Sequence, residues 1–261
     1  MTSEKKFLAD VGMENLPFPM KVISKASPEG QQTIANISIN ARILHEFEAS
    51  WIDKFIQILH SHRDRIGTET LSENIVDYAE ELNASNVRVD FDYPFFVEKL
   101  TPVSREKCLV RYLCAYSVRT STVNKAKVHF KIQVPAITTY PVSSKEQSGG
   151  LFGQLSVVAI EVETKKDIYP EDIVEIVDKH ALVPVYSFLT KEDQVAVIHK
   201  IHSEKKNSVI MVDEIKSELA HNHDISWYSV RVSNYGMLHS YSTVISTEKS
   251  YWIPFSITDS N

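Results

Sequence analysis

The side chains of this 261-residue chain whose types and spacing could support catalysis or metal binding are histidines and a serine–lysine pair. His199 and His202 are three residues apart in a helix-like segment, a spacing that puts both imidazoles on one face and can chelate zinc. Ser143-Ser144-Lys145 has the order of a serine nucleophile followed by a lysine base. The histidine pair has no cysteine or third histidine nearby in sequence, and a lysine must be desolvated to act as a base, so both patterns are weak indications of a site.

The hydrophobic pattern indicates which elements position these residues. Residues 33–43 alternate apolar and polar side chains, typical of a half-buried strand, whereas residues 49–63 carry apolar side chains at helical spacing. The same plan recurs in the second half. Strands are predicted at 33–43, 86–97, 107–118, 124–134, 155–163, 226–233 and 239–248. Helices are predicted at 49–63, 72–82 with Ser72 as N-cap, 171–180, 191–204 and 209–220. This order predicts an α+β fold with antiparallel sheets and helices packed on one face.

Composition excludes several classes of protein. The net charge of −6, with no basic stripe in the sequence, argues against nucleic-acid binding. No apolar stretch approaches the roughly 18 residues of a membrane span, and Met1 to Lys6 does not lead into a signal peptide. Cys108 and Cys114 lie too far apart along one strand for a disulfide with each other. We therefore expect a soluble protein in the reducing cytoplasm.

Four segments resemble blocks of the GTP cyclohydrolase IB family, in the family's order. The first two, Pro94–Ser104 and Thr138–Glu146, resemble the family's PYFIRKTAPVS and TTLCPCSKE. The other two, Pro184–Asp193 and Val230–His239, resemble PVYALLKRED and a strand that ends in a His-Asn-His run. The resemblance extends from about Val11 to about Val244. It implies two tandem tunnelling-fold units, residues 1–135 and 136–261, which assemble as a homodimer or homotetramer into a barrel.

The family binds a divalent metal with the second signature cysteine, a histidine soon after it and a glutamate on a later helix. The metal activates a water that opens the guanine imidazole ring and releases formate. The resemblance places Ser143, Phe152 and His199 at these three positions. A serine hydroxyl stays protonated near neutral pH and a phenyl ring offers no lone pair, so both are poor ligands. We therefore expect no metal cofactor, with well under one equivalent of zinc, manganese or iron per chain.

The resemblance also assigns residues to substrate binding. Asp213 stands at the family glutamate that accepts hydrogen bonds from the guanine edge, and its neighbour Glu214 is the alternative; both could equally form a solvated acidic pair. Lys145 matches a family lysine that could meet a phosphate or ring carbonyl, or form a surface ion pair. Phe152 and Trp51 replace family histidines, and each either lines a ligand pocket or packs in the core.

Three residues are candidates for catalysis: Ser143, His199 and His239. His239 matches the first histidine of the family's His-Asn-His run, and a histidine titrates near neutral pH. It could therefore act as a general acid or base, or be a structural histidine.

Three hypotheses for function follow. The first is a divergent family member whose apolar pocket binds or transforms a purine- or pterin-like heterocycle by changed chemistry, with weak GTP binding, in a specialised pathway. The second is a non-catalytic homologue that binds a ligand or regulates a paralogue by mixed assembly. The third is an active GTP cyclohydrolase with relocated metal ligands. Whether the chain is an enzyme is left open by the sequence. A small heterocyclic ligand and further copies of the chain are the expected partners, with neither nucleic acid nor membrane.

Overall fold

The computed structural model describes residues 9–43, 50–141, 151–236 and 238–249. The strands are β1 (Ala9–Val22), β2 (Gln31–Ile43), β3 (Ala84–Leu100), β4 (Lys107–Ser121), β5 (Lys127–Thr139), β6 (Gly153–Thr164), β7 (Val183–Pro184), β8 (Ile225–Tyr235) and β9 (Ser242–Glu248). The helices are α1 (Ser50–His62), α2 (Thr68–Glu81), α3 (Pro170–His180), α4 (Lys191–Ser203) and α5 (Ser208–His221). None of the described helices is long and apolar enough to cross a membrane.

The strands form one sheet in the hydrogen-bonded order β1-β2-β3-β4-β5-β6-β8-β9, and β7 pairs with β5. The chain divides into two compact units: residues 1–95, 113–131 and 163–171 form unit 1, and residues 96–112, 132–162 and 172–261 form unit 2. Strands β3 to β6 contribute residues to both units. The predicted division into tandem repeats at residues 1–135 and 136–261 concerns internal repetition of the chain, and it stays a prediction.

Strand β1 is an outer strand of unit 1 and was not predicted from the sequence. It carries Pro17 and Pro19, which lack the backbone N–H of a central strand and are tolerated at an edge. Its register with β2 shifts between Met13 and Leu16, and Asn15 there has a φ of 58°. The Asn15 backbone N–H donates to Ser38 Oγ at 3.2 Å. The bulge and the prolines together hide the period-two pattern of this strand.

Helix α2 begins at Thr68, so the predicted start at Ser72 is wrong. The Gly67 N–H donates to Thr70 Oγ1 at 3.1 Å, and the Glu69 N–H donates to Asp167 Oδ1 at 2.9 Å. Asp167 caps the helix from a segment about a hundred residues away. A Cβ at Gly67 would lie 2.7 Å from that Asp167 oxygen, which explains the glycine. Because the cap is non-local, the sequence around the helix does not reveal it.

A cluster of aromatic side chains lies in the core of unit 1. Tyr116 is fully buried, stacks on Tyr93 at 6.1 Å between ring centroids and meets Phe130 at 5.0 Å. Phe55 of α1 lies 6.0 Å from Tyr78 of α2, which joins the two helices. Tyr93, Tyr116 and Phe130 lie on β3, β4 and β5, whose buried and more exposed residues alternate. The alternation therefore places one face of each strand in the core and the other in water.

Aliphatic side chains of α5 and β8 contribute to the core of unit 2. Helix α5 buries Met211, Ile215 and Leu219, while β8 buries Val230 and Val232. The spacing of four residues between these α5 positions places them on one helical face. The opposite face of α5 carries Asp213 and other polar residues, and it is exposed.

Phe130→Ala is expected to reduce the free energy of unfolding by about 3–5 kcal/mol, because it removes a fully buried ring and leaves a cavity. Urea denaturation followed by circular dichroism measures this change. Phe188→Ala is the matched control, since the Phe188 ring is 53% exposed and its loss is expected to cost less than about 1 kcal/mol. Equal losses in the two variants would contradict the assigned core.

Candidate functional site

The buried end of β5 is the described part of the segment that resembles the cyclohydrolase signature. Thr138, Thr139 and Tyr140 are all buried, and they carry polar atoms that need internal partners. The signature continues through Ser143 and Lys145, which lie outside the described residues. The contacts of Thr138 to Tyr140 therefore define the surroundings of the candidate site, all of them within unit 2.

A directional chain of hydrogen bonds crosses β5, β6 and β8 beneath this segment. Gln154 Nε2 donates to Thr138 Oγ1 at 3.2 Å, and Ser156 Oγ donates to Asn234 Oδ1 at 2.7 Å. The 2.8 Å contact between Thr138 Oγ1 and Ser156 Oγ is then donated by Thr138, because the serine proton is already used. All four side chains are buried. The chain fixes where β5 ends relative to β6 and β8.

Thr139 fastens the loop between α4 and α5 to the end of β5. Its backbone N–H donates to the Lys206 carbonyl at 2.8 Å, and the Lys206 N–H donates to Thr139 Oγ1 at 2.7 Å. Asn207, the next residue, caps α5 by accepting from the Ile210 N–H at 3.0 Å. The signature threonine therefore determines where α5 starts and where its side chains point.

Phe152 lies next to this junction. The Tyr140 N–H donates to the Phe152 carbonyl at 2.8 Å, and the Phe152 side chain is 36% exposed. At the following residue, a Cβ on Gly153 would lie 3.0 Å from methyl groups of both Ile137 and Ile201. The start of β6 is therefore packed tightly against the end of α4, with a half-exposed phenyl ring at its rim.

An ion-pair network extends from the Thr139 junction across α5 and α3. Lys206 Nζ lies 2.6 Å from Glu214 Oε2, which also lies 3.1 Å from His180 Nδ1. His180 Nε2 lies 2.5 Å from Glu218 Oε2, which Lys179 Nζ approaches at 2.9 Å. His180 and both glutamates line an open cavity of about 410 Å³.

The two glutamates of this network are held ionised. The hydrogen bond from Lys206 lowers the pKa of Glu214 most, against the opposing effect of burial. Burial would raise the pKa of Glu218, but hydrogen bonds from Lys179 and His180 outweigh it and lower this pKa also. Carboxylates that accept such hydrogen bonds from cationic side chains remain negatively charged at neutral pH. Glu214 is accordingly engaged with the protein itself.

The other candidate residues have different surroundings. Asp213 is exposed on α5 and has no hydrogen bond or ion pair with any described residue. His199 is exposed on α4, and exposed His239 stacks on Tyr241 at 4.8 Å between ring centroids. Trp51 belongs to unit 1, where it is buried and stacks on Phe55 at 6.2 Å. The structure thus ties Phe152 and Glu214 to the end of β5.

Two of the three residues at the family's metal positions, Phe152 and His199, lie in the described part of the chain. Phe152 offers no donor atom, and His199 stands exposed on α4. Across residues 9–43, 50–141, 151–236 and 238–249, no group of three or more His, Cys, Asp or Glu side chains is arranged to hold an ion.

Two of the resemblance blocks meet through one buried carboxylate. Asp193 is fully buried and accepts hydrogen bonds from the Val103 N–H at 2.8 Å and the Ser104 N–H at 2.9 Å. It also accepts from Ser104 Oγ and Thr190 Oγ1, each at 2.7 Å. Burial would raise the pKa of Asp193, but these hydrogen bonds outweigh it and hold that pKa well below its usual range. Asp193 and Ser104, which belong to two of the segments that resemble the family, therefore stabilise the fold.

Several residues of this site were missed by sequence reasoning. Gln154, Asn234 and His180 carry the buried chain and the ion-pair network, yet nothing in their local sequence distinguishes them. Gln154 and Asn234 each lie one residue beyond the predicted strands 155–163 and 226–233. Both occupy the packed face of β6 or β8, where a polar side chain needs a partner.

Comparison with known sequences identifies relatives along nearly the whole chain. Residues 2–244 match the family model described as "Type I GTP cyclohydrolase folE2". A protein named GTP cyclohydrolase FolE2 from Geobacter sp. (strain M21) is 30% identical over 243 residues, which cover 93% of this chain and 90% of the relative. One of the same name from Dictyoglomus turgidum is 30% identical over 247 residues, covering 95% and 94%. The family shown by these matches is FolE2, which corrects the type IB assignment suggested by the four sequence segments.

Solved structures with a similar fold include two uricases. The uricase from Bacillus fastidious aligns with a TM-score of 0.57 at 10% identity, covering 92% of this chain and 93% of the uricase. The uricase from Arthrobacter globiformis aligns with a TM-score of 0.54 at 8% identity over 100% of both chains. At such identity the likeness concerns the fold alone. It confirms the predicted α+β tunnelling fold.

Asp193→Asn is expected to lower the thermal midpoint at pH 7, because the amide replaces a charged acceptor of several short hydrogen bonds. Since the folded pKa lies below the unfolded value of about 4, this stabilisation is complete above that pH and is lost as pH falls through the folded pKa. The difference between wild type and variant should therefore shrink below about pH 4.

Thermal melts between pH 7 and pH 3 measure this difference. Glu192→Gln is the matched control, because it removes a neighbouring carboxylate that is exposed. A wild-type advantage that stays constant or grows as the pH falls would contradict the assignment.

Proposed function

Because the chain belongs to the type I GTP cyclohydrolase FolE2 family, we propose that it acts on GTP and opens the purine imidazole ring by hydrolysis. The observation that carries this proposal is the match over residues 2–244, with relatives named GTP cyclohydrolase FolE2 aligned over nine tenths of their length. This is the third hypothesis drawn from the sequence. The comparisons support it better than the first, which supposed a changed chemistry.

Asp213 is the residue proposed to bind the guanine edge. A carboxylate can accept hydrogen bonds from guanine N1 and the exocyclic amine together, a charge-assisted pair that discriminates strongly against other purines. Asp213 has free acceptor capacity because it is exposed and engages no described residue. Glu214, the alternative, already binds Lys206 and His180. The geometry therefore favours Asp213 for the ligand and Glu214 for holding α5 and α3 together.

His239 is the proposed acid–base residue. It is exposed, and its ring is oriented by stacking on Tyr241. A histidine can take or give a proton near neutral pH. Ser143 and Lys145, which lie outside the described residues, stay in the proposal as residues beside the reacting ring and the phosphates.

The metal that the family implies is not assigned to residues here. Phe152 and His199 do not form a ligand set with any described residue, and Ser143 is a poor donor at neutral pH. We accordingly route no step of the reaction through a metal bound at the family positions. His199, His202 and His239, the described histidines considered for a relocated site, form no group of three donors that could hold an ion.

A second candidate function is binding of a purine- or pterin-like heterocycle without ring opening. The observation that favours it is the half-exposed ring of Phe152, at the position where the family has a metal-binding histidine. The Phe152 carbonyl accepts a hydrogen bond from the Tyr140 N–H. Such a protein would serve a specialised pathway or regulate a paralogue by mixed assembly. In either case we propose a homodimer or homotetramer, in which outer strands β1 and β9 find partners.

Incubation of the purified chain with GTP tests the two candidates. Ring opening followed by rearrangement gives dihydroneopterin triphosphate, which fluoresces after oxidation. The proposed function predicts this fluorescence in at least one of three samples: protein as purified, protein with Mn²⁺, or protein with Zn²⁺. Elemental analysis of the same protein is expected to find well under one equivalent of metal before any is added, because the family's thiolate and histidine donors are replaced.

Fluorescence lacking in all three samples, with a relative from the same family active in parallel, would reject ring opening and leave the second candidate. Stoichiometric metal in the purified protein, lost on chelation, would show that the replaced donors are not needed.

Asp213→Asn is expected to reduce kcat/KM for GTP by about 10- to 100-fold, because the amide cannot accept both hydrogen bonds from the guanine edge. Initial rates over a range of GTP concentrations measure the change. Asp53→Asn, which removes an exposed helical carboxylate from unit 1, is the matched control and should leave the rate unaltered. A greater loss in Glu214→Gln than in Asp213→Asn, at equal thermal stability, would transfer the role to Glu214.

A further inference from the structure

We propose that unit 1 contains a binding site for a small polyphosphate anion, distinct from the purine site proposed in unit 2. A cavity of about 510 Å³ lies on the exposed face of the sheet, where β2, β3 and the β4–β5 turn come together. Five cationic side chains line it: Arg42, Arg88, Arg119, Lys125 and Lys127. None of these residues takes part in the proposed ring opening, so the inference goes beyond that function.

Sheet register explains why arginines of different strands share this cavity. Arg42 of β2 pairs with Asn86 of β3, and Asn40 pairs with Arg88. Directly opposed residues of an antiparallel pair project to the same face, so Arg42 and Arg88 lie diagonally on one surface. All four side chains are exposed, whereas the residues between them, such as Ala41 and Val87, are buried. The core-facing alternation therefore fixes the cations on the wet face.

The charge balance of the cavity is opposite to that of the chain. The whole protein carries −6, but five cations line the cavity against one lining carboxylate, Asp10. Arg42 Nε binds Asp10 Oδ1 at 2.8 Å, and Arg88 Nε lies 2.9 Å from Asp90 Oδ2. The other three cations form no ion pair with a described residue. At least three positive charges in the cavity are thus available to a ligand.

Polyphosphate is the ligand chemistry that fits this arrangement. Several adjacent phosphate groups present many charged oxygens within a short length, and each guanidinium can bind two of them. Asn40, Asn86 and Asn124 add neutral donors at the cavity wall. A chain with net charge −6 repels a long polyanion, so a small polyphosphate is favoured over a nucleic acid. The phosphate source is either the triphosphate of a nucleotide or inorganic polyphosphate.

Titration calorimetry of the full-length chain with inorganic tripolyphosphate tests the site. We expect saturable binding of one tripolyphosphate per chain, weakened by added salt because exposed charges are screened. Arg119→Ala combined with Lys125→Ala is expected to weaken binding by at least about tenfold, because two charge-assisted contacts are lost. GTP and ATP that compete equally with tripolyphosphate would identify nucleotides as the source. Failure of both to compete would identify inorganic polyphosphate.

The matched control is Arg111→Ala combined with Lys131→Ala. It makes the same change in net charge from exposed positions of β4 and β5 that do not line the cavity. We expect its affinity for tripolyphosphate to equal that of the wild type, with thermal midpoints of all three proteins alike. No saturable binding to the wild type, or equal losses in the two double variants, would overturn the proposal. Because tripolyphosphate has no purine ring, this result is independent of whether GTP is hydrolysed.

Discussion

The antiparallel sheet, with one packed and one wet face, is the constraint on which every site in this molecule depends. A strand turns alternate side chains to opposite faces, so one residue's burial decides that of its neighbours. On β2 and β3 this alternation buries Ala41 and Val87 and thereby exposes Arg42 and Arg88. On β6 it buries Ser156, which must then find an internal partner. The alternation of side chains along each strand therefore places charged residues on the exposed face and hydrogen-bonded polar residues on the packed face.

Polar side chains on the packed face connect the sheet to the segments that carry the site. Thr139 binds the backbone of Lys206 in both directions, and Lys206 in turn holds Glu214 on α5. Asp193 does the same for the loop after β3 through Ser104. Thr139 and Asp193, which make these two sets of contacts, both lie in segments that resemble the cyclohydrolase family. Resemblance in these two blocks is therefore accompanied by contacts that build the scaffold.

Periodicity predicted most of the fold because most elements bury one face. The helices at 171–180, 191–204 and 209–220 and the strands from 86 onward lie within a few residues of their predicted bounds. Strand β1 was missed because two prolines and a bulge interrupt its alternation, and β7 because two residues carry no period. The start of α2 was misplaced because its cap, Asp167, is remote in sequence.

The candidate site was less predictable, since it is built from contacts between distant segments. The sequence offered Asp213 for the guanine edge with its neighbour Glu214 as the alternative, and only the structure shows that Glu214 already contacts Lys206 and His180. The five cationic residues that line the cavity in unit 1 come from four separate segments of the chain, so the sequence shows no continuous basic stretch that would predict the site. Composition gave a net charge of −6 and concealed a local excess of the opposite sign.

The central claim is that a FolE2-family chain with altered metal-ligand positions still opens the purine ring of GTP. Nuclear magnetic resonance of GTP labelled with ¹³C at C8 tests it most directly, because ring opening releases that carbon as formate. The account predicts that the C8 signal moves from GTP to formate when the folded protein is supplied with Mn²⁺ or Zn²⁺. A C8 signal that stays in GTP under every metal condition, with the protein still folded, would contradict it.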